Sequence, residues 1–261
     1  MSSYIVESYG ISDIGLRSNN EDSWAGVPNC KFFVLADGMG GHQAGEVASK
    51  ETVQRLSIRI EDFYETALTS PPTSEEWAEK LGDLILRVNR EVYQLSLQNE
   101  KYAGMGTTLA CLLITGERLI YAHIGDSRIY RFRKKELTKL TLDHSLKQEL
   151  LRKGDLGKTP SKHAPKNIIT RAVGTHANVE PDIEISTLKS DDIYFLCSDG
   201  LTDELSLEEM RSILLEAKTI KEASDSLVAA AKQKGGSDNI TVVMVKVYHE
   251  GKEARKDLSR Q

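Results

Sequence analysis

Residues 108–137 read TLACLLITGERLIYAHIGDSRIYRFRKKEL, and the fold class turns on how this stretch divides. Three apolar runs of strand length, Thr108–Ile114, Leu119–Ile124 and Ile129–Phe132, are rich in Ile, Leu, Tyr and Phe, which suit a pleated, half-buried surface. Gly116-Glu117 and Lys134-Lys135 lie between runs at hairpin spacing, so the neighbours there are expected to run antiparallel. Further out, strand-like runs recur at Phe32–Ala36, Ile193–Cys197 and Thr241–Val247.

Two long helices separate the first of these runs from the 108–137 stretch. One starts near Gln43 and carries Val53, Leu56, Ile60 and Phe63 on one face. The other follows Pro71-Pro72, with Thr73 and Glu76 spaced as a capping box. Its apolar stripe, Trp77, Leu81, Leu84, Ile85, Val88 and Val92, has the helical period. Shorter helices are expected over 207–216 and 220–234. Helices and antiparallel strands grouped in blocks indicate an α+β fold rather than a parallel α/β sheet.

At 261 residues the chain is long for one domain and short for two, so one domain over 1–249 is expected, followed by a charged tail over 250–261. The net charge of −5 argues against broad nucleic-acid binding, which rests on Lys and Arg neutralising phosphates. No apolar run approaches the roughly 18 residues of a membrane span, and Met1–Glu7 has neither the basic start nor the apolar stretch of a signal peptide. Cys30, Cys111 and Cys197 are odd in number and far apart, as reduced, packed thiols are. A cytoplasmic, monomeric protein without nucleic-acid or membrane partners is the expectation.

Four apolar runs end or begin on an aspartate. Phe32–Ala36 runs into Asp37-Gly38, Tyr121–Ile124 into Gly125-Asp126, and Tyr194–Ser198 into Asp199-Gly200. Gly235–Asn239, containing Asp238, opens onto Ile240–Val247. Any one Asp-Gly pair most often only turns the chain. The set says more. A carboxylate tight against a buried apolar run is costly unless compensated, and several converging on one place repel each other. A hard cation resolves both problems, and oxygen ligands without a His/Cys cluster select Mg²⁺, Mn²⁺ or Ca²⁺. Gly38, lacking a side chain, lets its backbone come close to an ion.

Other chemistries fail on the residues. The Gly38–Gly41 stretch resembles a phosphate-cradling turn, but a dinucleotide fingerprint needs glycine where Gln43 stands. A cysteine phosphatase needs arginine six residues after its cysteine; Ala36, Glu117 and Asp203 occupy those places. Gly125-Asp126-Ser127-Arg128 is followed by Ile129 rather than the glycine of a nucleophile elbow. Metal-assisted chemistry survives.

Six ordered blocks then carry a resemblance. They are Gly15-Leu16-Arg17 with Asn20-Glu21-Asp22, Ala36-Asp37-Gly38-Met39-Gly40-Gly41-His42, Gly104-Met105-Gly106-Thr107-Thr108, Ala122 to Arg128, Ser198-Asp199-Gly200-Leu201 and Gly236-Ser237-Asp238-Asn239. Together they resemble the metal-dependent protein phosphatases, the type-2C serine/threonine enzymes, and at Met39 and His42 their bacterial branch. The resemblance implies a four-layer α/β/β/α sandwich of two antiparallel sheets flanked by helices. It implies hydrolysis of phosphoserine and phosphothreonine in proteins by a metal-activated water, without a phosphoenzyme. Two Mg²⁺ or Mn²⁺ ions are implied, bridged by Asp37, with the Gly38 carbonyl serving one, Asp199 and Asp238 the other, and Glu21 acting through metal-bound water. Asp126 with Asp199 would hold a third. Asp22 and Asn239 are supporting residues, the latter for Asp238. Arg17 is the candidate phosphate clamp, its planar fork matching two phosphate oxygens. Met39 stands where eukaryotic relatives carry a histidine proposed as general acid, which leaves His42 as a substitute beside a metal-activated water. The alternative is an inactive phospho-binding module, which the retained Asp37, Asp199 and Asp238 disfavour.

From Lys147 to Arg171 seven basic residues face two acidic ones, a local excess suited to a phosphorylated protein partner. By the resemblance this stretch falls in a variable flap over about 145–171, expected to tune substrate choice.

Overall fold

The computed structural model describes residues 4–40, 44–152 and 168–249. The 108–137 stretch forms β5 (Leu109–Thr115), β6 (Arg118–Ile124), β7 (Arg128–Arg133) and β8 (Glu136–Lys139). β5 pairs β6 and β7 pairs β8, both antiparallel. The hairpins belong to different sheets. One sheet also takes β2 (Asp22–Val27), β3 (Phe32–Met39), the two-residue β4 (Gly106–Thr107) and β9 (Asp182–Thr187), in the order β2-β3-β5-β6-β9 with β4 on β3. The other takes β1 (Tyr4–Asp13), β10 (Ile193–Cys197) and β11 (Ile240–His249), in the order β1-β11-β10-β7-β8. The turn at Gly125–Ser127 carries the chain across, so Asp126 sits where the sheets meet.

Side-chain alternation builds the layers. Along β3, Phe32, Val34 and Ala36 face α1 (Ala44–Ala67) and α2 (Ser74–Gln98), packing with Leu56, Ile60, Leu81 and Ile85. Phe33 and Leu35 point the other way, into a layer shared with Tyr194 and Leu196 of β10 and Val243, Val245 and Val247 of β11. The opposite outer layer sets Phe195, Cys197, Val242 and Met244 against α5 (Leu207–Glu216) and α6 (Ile220–Lys234). The result is two antiparallel sheets between helices, as the motif blocks imply. α2 opens with the capping box in full: Thr73 Oγ1 accepts from Glu76 N at 3.2 Å and Glu76 Oε2 accepts from Thr73 N at 2.7 Å. Helix α3 (Leu146–Arg152) covers the start of the basic segment; the rest of that segment to 167, and the tail over 250–261, lie outside the described residues.

The period-2 pattern ends in polar residues at one end of the sandwich. On the inner face Leu35 gives way to Asp37, Leu196 to Ser198, and Val243 to Thr241. Asp37-Gly38 is not a turn: β3 continues through both to Met39, with Asp37 paired to Asp22 and Gly38 to Thr107.

Candidate metal centre and active site

Where the inner layer turns polar, a cavity of about 680 Å³ opens. Arg17, Glu21, Asp37, Gly38, Asp126, Asp199, Asp238 and Asn239 line it, with Asn19, Met39, Thr108 and Ile169 among their neighbours. Residues more than 200 positions apart thus share one wall system. Asp22 lies behind Asp37 rather than on the lining. His42 lies outside the described residues.

Each aspartate arrives differently. Asp37 rides on a central strand and is braced by Thr108, whose Oγ1 accepts from Asp37 N at 2.9 Å and whose N–H donates to Asp37 O at 2.8 Å. Asp199 opens α4 (Asp199–Thr202), a single turn directly after β10. Asp238 lies in the loop leading from α6 to β11, and its Oδ1 accepts from Asn239 N at 2.8 Å. Gly38 is forced by close approach: a Cβ there would stand 2.1 Å from Gly45 O and 2.8 Å from Glu21 O.

Supporting residues tie the sheets together. Asp22 Oδ2, on the first sheet, accepts from Ser198 Oγ at 2.8 Å and Thr241 Oγ1 at 2.6 Å on the second. Asn239 bonds Asp238 through its main-chain N–H, while its Oδ1 accepts from Glu21 N at 2.8 Å and its Nδ2 donates to the Ile14 and Asn19 carbonyls. It holds the Glu21 loop against the Asp238 loop. Arg17 Nη2 donates to Asp238 Oδ2 at 2.6 Å, its side chain 55% exposed on the rim. Thr108, Ser198 and Thr241 are functional supports that sequence reading did not single out, although Thr108 and Ser198 fall within the quoted blocks.

The electrostatics mark the centre as deficient in positive charge. Asp37 is pushed well above the usual carboxylate range by burial, then by Asp22, Asp199, Asp126 and Asp238. The largest charges acting on it are all other aspartates. Burial, then Asp126 and Asp238, raise Asp199 to about 7. Burial raises Asp22 to about 6 against the pull of its two hydroxyl donors, and Asp126 to about 6 with Asp143 adding to it. Among the described residues Asp22 Oδ1 and Asp126 Oδ1 are buried without a hydrogen-bond partner. Asp22 and Asp37 face each other as acceptors: they bond only if one holds a proton, and otherwise need a cation between them. Buried charges persist when paired or when they coordinate metals. The donor set, all oxygen with a backbone carbonyl beside it, fits Mg²⁺ or Mn²⁺, which keep several waters and need few protein ligands.

A second cluster has metal-ligand composition without that deficiency. Donor atoms of His123, His144 and Asp182 all lie within 4.8 Å of one another. The His144 lone pair and the Asp182 charge are already answered. His144 Nδ1 accepts from Gly125 N at 3.2 Å, so Nε2 carries the proton and faces Asp182 Oδ2 at 3.3 Å. Arg171 supplies the cation, 3.1 Å from Asp182 Oδ1. Burial holds both imidazoles below their usual value, hence neutral.

The protein phosphatase 2C family profile matches residues 10–235 of this chain. The chain belongs to the protein phosphatase 2C family. Protein phosphatase PhpP of Streptococcus pneumoniae is 40% identical over 250 residues, covering 93% of this chain and 98% of that one. The Streptococcus agalactiae serine/threonine phosphatase superposes with a TM-score of 0.83 at 38% identity, over 92% of this chain and 99% of that one. The catalytic domain of the serine/threonine phosphatase PstP, solved with two manganese ions, superposes with a TM-score of 0.81 at 35% identity, over 94% and 100%. This phosphatase 2C is a metal-dependent serine/threonine phosphatase, and the inactive-module reading finds no support in its relatives. Among the described residues no helix is long and apolar enough to cross a membrane.

Proposed function

We propose that the cavity binds two Mg²⁺ or Mn²⁺ ions for hydrolysis of phosphoserine and phosphothreonine in proteins. Asp37 serves both, the Gly38 carbonyl one, and Asp199 and Asp238 the other; Glu21 acts through metal-bound water, and Asp126 with Asp199 adds a third. The observation that carries this reading is that burial and neighbouring aspartates dominate the surroundings of Asp37 and Asp199 and push both carboxyls up. Bound cations would supply an acidified water near neutral pH and neutralise the phosphoryl oxygens.

The chain's own residues position everything else. Arg17 is exposed and bonds Asp238 and the Ser237 carbonyl, so its fork can turn onto two phosphoryl oxygens when substrate arrives. Asp22, tied to Ser198 and Thr241, fixes the depth at which Asp37 stands. No histidine lines the cavity among the described residues, which leaves His42 as the protein's own candidate proton donor. The basic segment from Lys147 to Arg171 favours phosphorylated proteins over small phosphates, and the enzyme acts as a cytoplasmic monomer.

The test is turnover of an aryl phosphate with and without chelator. Activity is expected to vanish in chelator and return with Mn²⁺ or Mg²⁺, and Asp238→Ala to stay inactive at any ion concentration. Full turnover in chelator would overturn the reading.

A further inference from the structure

Asp126 reaches the cavity from the turn between two sheets, where no ladder fixes its backbone. Something else must hold it. Gly125, the residue before it, adopts φ +97, and a Cβ there would stand 2.7 Å from Thr108 Cγ2. That conformation suits glycine and little else, so it needs external restraint. Both peptide groups of Gly125 are taken by one residue: His144 N donates to Gly125 O at 2.9 Å, and Gly125 N donates to His144 Nδ1 at 3.2 Å.

The same histidine is gripped on its other sides. Its carbonyl accepts from Thr170 N at 2.8 Å, Ser145 bridges Ile169, and Leu146 N donates to Ile168 O at 2.9 Å. Ile169 lines the active-site cavity. The imidazole stacks on His123 with centroids 4.5 Å apart, and His123 Nε2 in turn meets Leu142 O at 2.7 Å. Asp182 closes the ring by facing Nε2 and is itself held by Arg171. This fixes the tautomer, because an Nε2–H directed at Asp182 leaves Nδ1 as the acceptor that Gly125 requires.

We propose that His144 is a positioning residue for Asp126: through Nδ1 it locks the Gly125 peptide and so aims into the cavity the Asp126 carboxylate, whose Oδ1 has no hydrogen-bond partner among the described residues. The inference rests on the reading of Asp126 as an ion ligand. His144 touches neither ion nor substrate. It acts as groups behind ligands do in metal sites, where their loss costs about 10–100-fold in affinity.

The full-length enzyme is titrated with Mn²⁺ by calorimetry, alongside aryl-phosphate turnover against Mn²⁺ concentration and a thermal melt. Asp126→Ala should remove a weak class of Mn²⁺ sites and leave the tight class. His144→Ala should weaken that same class by about tenfold or more without moving the tight one. Rescue separates positioning from packing. His144→Asn carries an oxygen as many bonds from the backbone as Nδ1 and should stay within about threefold of the parent, whereas His144→Gln places its oxygen at the reach of Nε2 and should behave like His144→Ala. If His144→Ala does not fold, the Asn and Gln variants alone carry the comparison. Weak-class binding unchanged in His144→Ala, or equal in Asn and Gln, overturns the proposal. If Asp126→Ala itself leaves Mn²⁺ binding unaltered, the assignment of Asp126 fails first, and the role of His144 with it.

Discussion

Two acid clusters lie on either side of the Gly125-Asp126 turn, each with one arginine, and they behave in opposite ways. In the first, burial and neighbouring aspartates raise the proton affinity of Asp22, Asp37 and Asp199, and Arg17 bonds Asp238 from an exposed position. In the second, Arg171 bonds the Asp182 carboxylate and the Glu180 carbonyl, and His144 completes the circuit. Composition alone favours the second as a metal site, since it holds two histidines at close range. Charge balance reverses that ranking. A cluster already supplied with its counter-charge and hydrogen bonds is architecture, whereas one whose charges have no internal answer is a place for a ligand.

Removing one acid from each cluster breaks the comparison most sharply. Asp37→Asn should reduce aryl-phosphate turnover by about 10²–10³-fold or more, the scale on which lost stabilisation of developing charge is felt. Asp182→Asn should cost less than about threefold, since it keeps an acceptor for His144 Nε2. Steady-state kinetics at saturating Mn²⁺ checks both, and comparable losses would erase the distinction. A smaller difference is expected between the arginines. Arg17→Ala should raise KM about tenfold with little change in kcat, as loss of uniform phosphate binding does, while leaving thermal stability near the parent.

The pH dependence of stability should change direction with metal. Asp199 is raised to about 7 and Asp22 and Asp126 to about 6. Between the ordinary carboxylate value and these, the folded metal-free protein binds more protons than the unfolded chain. Stability from these groups therefore falls as pH rises through that window. His123 and His144 are lowered by burial, so the unfolded chain binds more protons below the ordinary histidine value, and their contribution rises with pH up to it. In chelator the aspartates should dominate, and urea unfolding should show stability falling from pH 5 to 7. With Mn²⁺ bound the carboxylates stay ionised in both states and the histidines' rising slope should remain. The same slope with and without metal would place the raised carboxylates elsewhere. The smallest effect is reserved for Arg171→Met, which should cost about 1 kcal/mol in urea unfolding, because the pair it breaks is only partly buried.

How much of this was legible beforehand follows a physical line. The six apolar runs named from the sequence are β3, β5, β6, β7, β10 and β11, the strands with a partner on both sides. The strands not anticipated, apart from two-residue β4, are β1, β2, β8 and β9, and these form the four sheet edges. Edge strands are half solvated, so β2 and β9 contain no fully buried residue and leave no apolar run to find. The helices expected over 207–216 and 220–234 form as α5 and α6, and Ser206 and Thr219 cap their starts.

The sequence by itself determined which aspartates converge and on what chemistry, since apolar runs ending in carboxylates carry their own signature of cost. It also determined the central strands, where burial on both faces writes itself into composition. Only the tertiary structure decided which way Asn239 points, that Asp22 is bound from the opposite sheet, and that Arg171 neutralises the histidine cluster. Those depend on side chains meeting across hydrogen bonds of about 3 Å from positions far apart in the chain, a distance that no local pattern of residues encodes.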